Sequence, residues 1–393
     1  MEKDRQCQAS PIETLSVELV HLILSAVPDV ESLRAAVLSC PLFYGCFLEA
    51  EASTTALVLR NQIDDSVLPE AMAAAASLQL RPHGAQQNDK DAVEHFVANS
   101  LRRRSMPPRS LSLRDALLLG RLHIYVDRWA TKFVTAALGQ DALHKSQPGL
   151  AATYQEICRI ERALYRNEIY CNLFREVPTK QSITSLTRTT PSILYAEQKE
   201  LFFANFARWE NEQLGCIHDF LARAVSPSFD DVAEHDISWG VSCVPYGVGV
   251  GSPPLEHVLS WGLARLYHLT EAETYEERYR LLDAGRNPAP TYSFLYEGLQ
   301  MAANEYDSIV FYDDIQPEDE ARYFHTPFFA DPDTGPADVW RWAHIDESWQ
   351  NWVYQEDRSH LRRWAYVLWD RARLEATGIF ETPMENLIRS REE

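Results

Sequence analysis

Apolar residues recur at steps of three and four along most of this chain, and this spacing constrains the fold more than any other sequence feature. The longest such run lies between Ser112 and Gly139. Its apolar members are Leu118, Leu122, Tyr125, Trp129, Phe133 and Ala136. Steps of three and four place side chains on one face of an α-helix. Ser112, with Asp115 three residues later, is typical of a capped start, and Gly139 of a C-terminal stop. The run therefore predicts one long helix.

Three further segments carry helical patterns. Pro148 is predicted to be the first residue of a helix whose stripe mixes apolar and acidic residues: Ile157, Glu161, Leu164 and Glu168. A third helix is predicted from Pro191 to about Val225, with Pro227 ending it. Near the C-terminus, Gly378 closes a last apolar stripe: Leu361, Trp364, Leu368 and Ala372. These patterns predict an all-α protein.

The length of 393 residues suits one or two bodies with a large buried core. We predict an N-terminal three-helix module over residues 10–52 and a larger, irregular helical domain over residues 53–393. A minor break is predicted near residues 81–88, where the chain turns polar. No repeat with a period of about 20–50 residues is visible, which argues against repeat architectures. Short strands at residues 237–244 or 309–312 are the alternative to an entirely helical chain.

The composition excludes several classes of function. The net charge is −20, and a field of that sign repels phosphate backbones and anionic lipid, so we expect no nucleic-acid or membrane binding. The seven cysteines are scattered without a C-x-x-C pair, which indicates free thiols in a reducing compartment. The polar N-terminus is followed by no signal-peptide core, and no apolar run approaches ~18 residues. We therefore expect a cytoplasmic or nuclear protein.

Residues Ile12 to Leu48 carry the most informative pattern. Asp29 suits the N-cap of a second helix, and Pro41 the first position of a third. The first helix is predicted from an apolar stripe made of Leu15, Leu19, Leu22, Ile23 and Ala26. Three short helices with brief connections form a module of about 40 residues that buries little by itself. Such a module is expected to pack against a partner protein or against the rest of the chain.

This segment resembles the F-box, the module by which substrate receptors dock on a Skp–cullin ubiquitin ligase. The positions that carry the resemblance are Leu15, Glu18, Leu19, Ile23, Leu24, Leu33, Cys40 and Phe43. Leu15, Glu18 and Leu19 are similar to the family's opening Leu-Pro-x-Glu-Leu segment. Ile23 and Leu24 are similar to the aliphatic pair that follows this segment. Leu33 is similar to the leucine that starts the second helix, and Cys40 and Phe43 are similar to the cysteine and the tryptophan of Val-Cys-Lys-x-Trp. The form resembles the divergent F-box-like segments of many filamentous-fungal proteins.

The resemblance implies that these eight residues contact a Skp-type adaptor, which links the chain to a cullin, while the helical remainder selects an unknown target protein. The chain is then a non-enzymatic substrate receptor that needs no catalytic residue. The segment departs from the family at Ser16, Pro41 and Phe43, where a proline, a basic residue and a tryptophan are usual. These departures leave open a helical scaffold that no longer binds the adaptor. A helical enzyme acting on a small molecule is a third hypothesis.

Other polar or aromatic clusters are weaker candidates for a site. Glu234-His235-Asp236 places metal-ligand types together, but neighbours on one element point apart. Asp313-Asp314 lacks a second magnesium motif, and Gly247 to Gly251 lacks the spacing of a phosphate loop. We therefore predict no cofactor and no bound transition metal. Packing against neighbouring helices is predicted for three C-terminal tryptophans: Trp349, Trp352 and Trp364.

Overall fold

The computed structural model describes residues 11–80, 89–102, 111–140, 151–176, 191–236, 249–285, 293–303, 331–345 and 353–381. Within these ranges the regular elements are all helices and no strand occurs, which confirms the all-α prediction. The segments 237–244 and 309–312, considered as strands, lie outside the described residues. The chain divides into two compact units, the first formed by residues 1–75 and 105–124 and the second by residues 76–104 and 125–393.

The described residues form short helices for the most part, with three long ones. In chain order the α-helices are α1 Val17–Ser25, α2 Val30–Val37, α3 Pro41–Glu49, α4 Glu51–Gln62, α5 Leu68–Ser77, α6 Lys90–Phe96, α7 Leu113–Leu138, α8 Tyr154–Phe174, α9 Tyr195–Leu201, α10 Arg208–His235, α11 Pro253–Leu259, α12 Leu263–Glu271, α13 Tyr275–Asp283, α14 Phe294–Ala303, α15 Gly335–His344, α16 Ser359–Arg363 and α17 Arg371–Ala376. Single turns of 3₁₀ or π-helix lie between several of them, including Phe203–Asn205 and Tyr366–Leu368.

The first unit contains α1 to α4, most of α5 and the start of α7. Helix α2 begins as predicted, because Asp29 Oδ1 accepts a hydrogen bond of 2.8 Å from the backbone N–H of Ser32. Gln62 joins three helices of this unit, since it accepts from Val30 N at 3.3 Å and donates to the Gly120 carbonyl at 3.2 Å. The predicted module 10–52 thus shares its compact unit with residues that follow it in the chain.

Helix α7 matches its sequence pattern closely. Ser112 Oγ accepts from Asp115 N at 3.2 Å, and the helix ends one residue before Gly139. The buried side is slightly rotated from the predicted one, because Leu118 and Ala136 are exposed. The hydrophobic residues buried along this helix are Ala116, Leu119, Leu122, Val126, Trp129, Ala130, Phe133 and Ala137.

Membrane-spanning character is weak in the described residues. No single helix there is long and apolar enough to cross a bilayer, although α3 and α4, which meet at 98°, meet that criterion when taken together. Both helices contribute side chains to the core of the first unit, among them Cys46, Phe47, Val58 and Leu59.

Helix α8 has no solvent-facing side along most of its length, since every residue from Cys158 to Phe174 is buried. It begins at Tyr154, because Thr153 Oγ1 accepts from Glu156 N at 3.2 Å while Glu156 accepts from Thr153 N at 2.8 Å. The prediction that Pro148 is its first residue is wrong, since residues 151–153 precede the helix without regular secondary structure, and Pro148 itself lies outside the described residues. The two glutamates on its predicted stripe, Glu161 and Glu168, are buried.

Charged side chains of α8 are paired with partners from distant parts of the second unit. Glu156 accepts from Arg373 at 2.8 Å, and Arg166 donates to Glu210 at 2.6 Å. Arg159, fully buried, donates to Asp331 at 2.5 Å and to Asp370 at 2.6 Å. Because a buried charge is tolerated when it is paired and hydrogen-bonded, these contacts allow a polar helix to sit in the core.

The third predicted helix is divided in the structure and continues beyond its predicted end. The helix expected from Pro191 to Val225 is divided into α9 and α10, because the Asn205 side chain caps the carbonyls of Leu201 and Phe202 at 2.7 and 2.9 Å. Pro227 does not end α10, which continues to His235. A proline inside a helix removes one backbone donor, which here leaves the carbonyl of Arg223 without its helical partner.

The C-terminal stripe is also not one helix. Ala365 has a left-handed backbone with φ 61°, which separates α16 from the turn Tyr366–Leu368. Leu361, Trp364 and Leu368 are buried as the stripe predicts, but Ala372 is exposed. The left-handed residue turns the chain while keeping the apolar side chains inside.

Candidate functional sites

Helix α1 has two apolar sides, and only one of them is buried. Val20 and Leu24 are fully buried in the first unit, and His21 Nε2 is 2.8 Å from the Cys46 carbonyl. The other side is exposed to solvent: Leu19 by 48%, Leu22 by 66% and Ile23 by 47%. Residues at i, i+3 and i+4 are neighbours on a helix surface. Leu19, Leu22 and Ile23 therefore form one stripe, which we call the α1 apolar face.

The eight residues predicted to bind a partner fall into three groups. Glu18, Leu19 and Ile23 are exposed on α1, while Leu15, Cys40 and Phe43 are half-buried. Leu24 and Leu33 are fully buried, so they hold α1 and α2 in the unit and offer no surface to a partner. Leu22 was not among the predicted residues, although it is more exposed than its two neighbours on the stripe. Three more exposed apolar residues follow in α2–α3 and the turn between them: Leu38, Tyr44 and Leu48.

A second feature, in the second unit, is a buried cluster of charged side chains from α10, α11, α16 and the segment before α16. Arg362 Nε donates to Asp219 Oδ2 at 2.7 Å, and the Tyr354 hydroxyl donates to Asp219 Oδ1 at 2.6 Å. His218 bridges two further groups, with Nδ1 2.8 Å from the Tyr354 hydroxyl and Nε2 2.8 Å from Glu256 Oε1. The cluster is nearly dry, since none of these five side chains is more than 4% exposed.

The charges of this cluster are fixed by their neighbours. Burial alone would lower the pKa of His218, but the carboxylates of Glu256 and Asp219 outweigh it and raise that pKa to about 9. Burial would raise the pKa of Asp219, yet Arg362 and His218 hold it well below its ordinary value. His218 is therefore cationic at neutral pH and donates through both ring nitrogens. Burial also raises the pKa of the Tyr354 phenol, which stays neutral.

This protonation pattern limits what the cluster can do chemically. A cationic histidine cannot act as a general base, and the Tyr354 proton is already held by Asp219. Arg362 is equally committed, because it also donates to Glu212 at 3.4 Å and to the Gln355 carbonyl at 2.7 Å. The cluster is thus a rigid support for its surroundings.

Tyr354 is held in an unusual backbone conformation at this cluster. Its φ is +56°, a value that non-glycine residues rarely adopt, and its N–H donates to Glu212 Oε2 at 2.6 Å. The guanidinium of Arg362 lies 4.2 Å from the centre of its ring. Gly215 leaves room for the ring, since a Cβ there would come within 2.7 Å of Tyr354 Cδ2. The bond to Glu212, the Arg362 guanidinium and the close approach to Gly215 therefore fix the position of the Tyr354 ring.

A cavity of about 390 Å³ opens above the cluster. Asp219, Tyr354 and Arg362 form part of its floor, and Arg223, Tyr296 and Arg363 contribute to its walls. Gly249 and Val250, from the glycine-rich segment noted in the sequence, also line it. Burial lowers the pKa of Arg223; the Asp219 carboxylate opposes this effect, while the nearby cations Arg363 and Arg362 add to it.

The other sequence candidates do not assemble into sites in the part of the chain that the structure describes. No three His, Cys, Asp or Glu side chains there are grouped so as to share a metal ion. His235 lies at the end of α10 with its side chain 61% exposed, bonded to the Asp231 carbonyl at 2.8 Å. Trp364 is buried in the second unit. Asp313-Asp314, Trp349 and Trp352 lie outside the described residues.

Comparison with known proteins gives no assignment. The chain matches no family model, and no curated protein or solved structure is significantly similar to it.

Proposed function

We propose that this chain is a protein-interaction protein that docks on a Skp-type adaptor, and through it on a cullin ubiquitin ligase, by way of the α1 apolar face. The observation that carries the proposal is the exposure of Leu19, Leu22 and Ile23 at helical spacing on a helix that already has a separate buried side. In this role the remainder of the chain selects a target protein, and no residue needs to be catalytic.

An apolar stripe in water needs a physical reason. A helix that is apolar all round is normally covered all round. Fully burying one leucine or isoleucine is worth about 1.5–3 kcal/mol, so half-covered side chains retain a substantial drive to associate. Scattered exposed apolar residues are common, but a contiguous set more often marks an interaction surface. A partner helix laid against α1 would cover this stripe.

The exposed stripe also contains two of the positions that resemble the F-box. Leu19 and Ile23 are adjacent there, and Glu18 lies exposed beside them at the start of the helix. Leu24 and Leu33, which carry part of the same resemblance, instead supply the core behind α1. This division between surface and core positions favours the adaptor over an unrelated partner. A scaffold that has lost adaptor binding remains the alternative.

Replacing Leu19 and Ile23 together with aspartate should abolish adaptor binding. Two apolar contacts are lost and two charges would be desolvated, which together cost more than about 3 kcal/mol, or over a hundredfold in Kd. Titration of the purified full chain with recombinant Skp-type adaptor measures the effect. The fold should persist, because both side chains are about half exposed, and circular dichroism with a melting curve verifies this.

The matched control replaces Leu57 and Leu118, which are 46% and 48% exposed on α4 and α7. Leu57→Asp with Leu118→Asp adds the same charge at similar exposure and should leave adaptor binding unchanged. Equal loss in both double variants would assign the effect to added charge. A wild-type chain that does not bind the adaptor at all would overturn the proposal and favour the scaffold. An unfolded Leu19→Asp, Ile23→Asp variant would identify these side chains as core.

A further inference from the structure

We propose that the cavity above the Asp219–Arg362 pair binds a small molecule through a phosphate or carboxylate group, which Arg223 and Arg363 hold. The inference is independent of adaptor docking, since it rests on a different unit and on different residues.

Two cationic groups of the cavity, Arg223 and Arg363, differ from Arg362 in their contacts. Within the described part of the chain, neither guanidinium makes an ion pair or a hydrogen bond. Arg362, the third arginine of the cavity, already donates to Asp219, Glu212 and the Gln355 carbonyl. Planar guanidinium groups match phosphate and carboxylate oxygens with two parallel hydrogen bonds. The unused donors of Arg223 and Arg363 are therefore suited to an oxyanion.

Arg223 is half-buried in the middle of α10. Burial lowers its pKa, and its charged neighbours act in opposite directions: Asp219 favours the cation, whereas Arg363 and Arg362 disfavour it. An anion between Arg223 and Arg363 would remove the repulsion and replace the lost hydration. The chain as a whole carries a net charge of −20, so a pair of unpartnered arginines in one concavity is a local exception. Asp219 partly offsets the repulsion at Arg223, but its own hydrogen bonds come from Arg362 and Tyr354.

The rest of the cavity limits the ligand to a small organic molecule. Its volume of about 390 Å³ is in the range of small-molecule sites. The Tyr296 and Tyr354 rings, 5.7 Å apart and nearly perpendicular, offer an apolar surface beside the arginines. Glu356, exposed at the same cavity, places a carboxylate near the ligand. Ligands with one anionic end and a hydrogen-bond donor at the other fit this arrangement.

Binding of the anionic group alone is testable with simple probes on the full chain. Inorganic phosphate and succinate, each compared with chloride at matched ionic strength, separate the phosphate from the carboxylate class by calorimetry and by ³¹P line broadening. At least one probe should bind, and Arg223→Gln or Arg363→Gln should weaken it at least about tenfold, since each removes charge-assisted hydrogen bonds. Arg114→Gln, which removes an exposed arginine of the other unit, should leave the affinity unchanged.

A variant that binds the anion more tightly would distinguish a local effect at this cavity from a general loss of the folded structure. Glu356→Gln removes a negative charge at the cavity and should tighten binding of phosphate or succinate severalfold, which a damaged fold would not do. Absence of binding by both probes would overturn the proposal. So would binding that Arg223→Gln and Arg363→Gln leave unchanged, because the ion would then lie elsewhere.

Discussion

Replacing Arg362 with methionine should lower the free energy of unfolding of the second unit by about 3–5 kcal/mol. The side chain is 3% exposed and its partners Asp219 and Glu212 are equally dry, so the substitution strands two carboxylates without their cation. It also removes the guanidinium stacked 4.2 Å from the Tyr354 ring, whose strained backbone depends on the same cluster. Urea unfolding monitored by tryptophan fluorescence measures the loss.

Arg371 provides the matched control. It also contacts two carboxylates, Asp338 at 2.5 Å and Glu375 at 2.7 Å, but its side chain is 49% exposed. Water solvates all three groups after Arg371→Met, so a far smaller loss of stability is expected. Equal effects of the two substitutions would show that burial does not set the strength of the Arg362 cluster.

Stability should fall on the alkaline side as the pH rises from about 6.5 to about 9, because His218 loses its proton there. Its pKa is about 9 in the folded chain and 6.5 in the unfolded chain, so the folded state binds the proton more tightly. The contribution is complete below pH 6.5 and is lost as the pH passes through 9. At 1.36 kcal/mol for each pH unit, the loss is on the order of 3 kcal/mol. Urea midpoints across this pH range measure it.

His218→Gln should be less stable than the wild type at pH 6.5 and should lack the alkaline decline, so that the two proteins converge near pH 9. His235→Asn, at a side chain 61% exposed, should follow the wild type. A His218→Gln protein whose stability declines as steeply as that of the wild type would show that another group titrates.

Stability is expected to change in the opposite direction on the acid side, where it falls as the pH falls. Burial lowers the pKa of His257 to about 4 and of His344 to about 3, so their contribution is lost as the pH falls below 6.5.

Local patterns predicted helices well where local contacts determine them. The start of α2 at Asp29 and that of α7 at Ser112 depend on side chains within three residues, and both were predicted. The break at Asn205 depends on individual side-chain bonds that compete with the helical pattern. The continuation of α10 through Pro227 goes against the usual effect of a proline inside a helix. The left-handed Ala365 has no local signal, since alanine is a helix former.

The buried cluster was missed because its partners lie far apart in sequence. Asp219 meets Tyr354 and Arg362 across 135 and 143 residues, and no spacing rule connects such positions. One signal was present, however. His218 and Asp219 interrupt an apolar run between Ile217 and Phe220, and charged residues there predict a paired, buried site. The apolar residues of the α1 apolar face were predicted from their spacing, but their exposure was not. Val20 and Leu24 occupy the core instead. Because α1 has apolar residues on both sides, its hydrophobic pattern does not indicate which side is buried.

The burial of α8 along most of its length has a consequence for synthesis on the ribosome. The ion pair between Glu156 and Arg373 spans 217 residues, so most of the chain must emerge before that charge finds its partner. At about 5–20 residues per second, the interval is roughly 10–40 s. During that time the charged and aromatic groups of α8 stay in water or in provisional contacts. Truncation before residue 373 should therefore leave a nascent chain that chaperones retain and that does not complete its second unit.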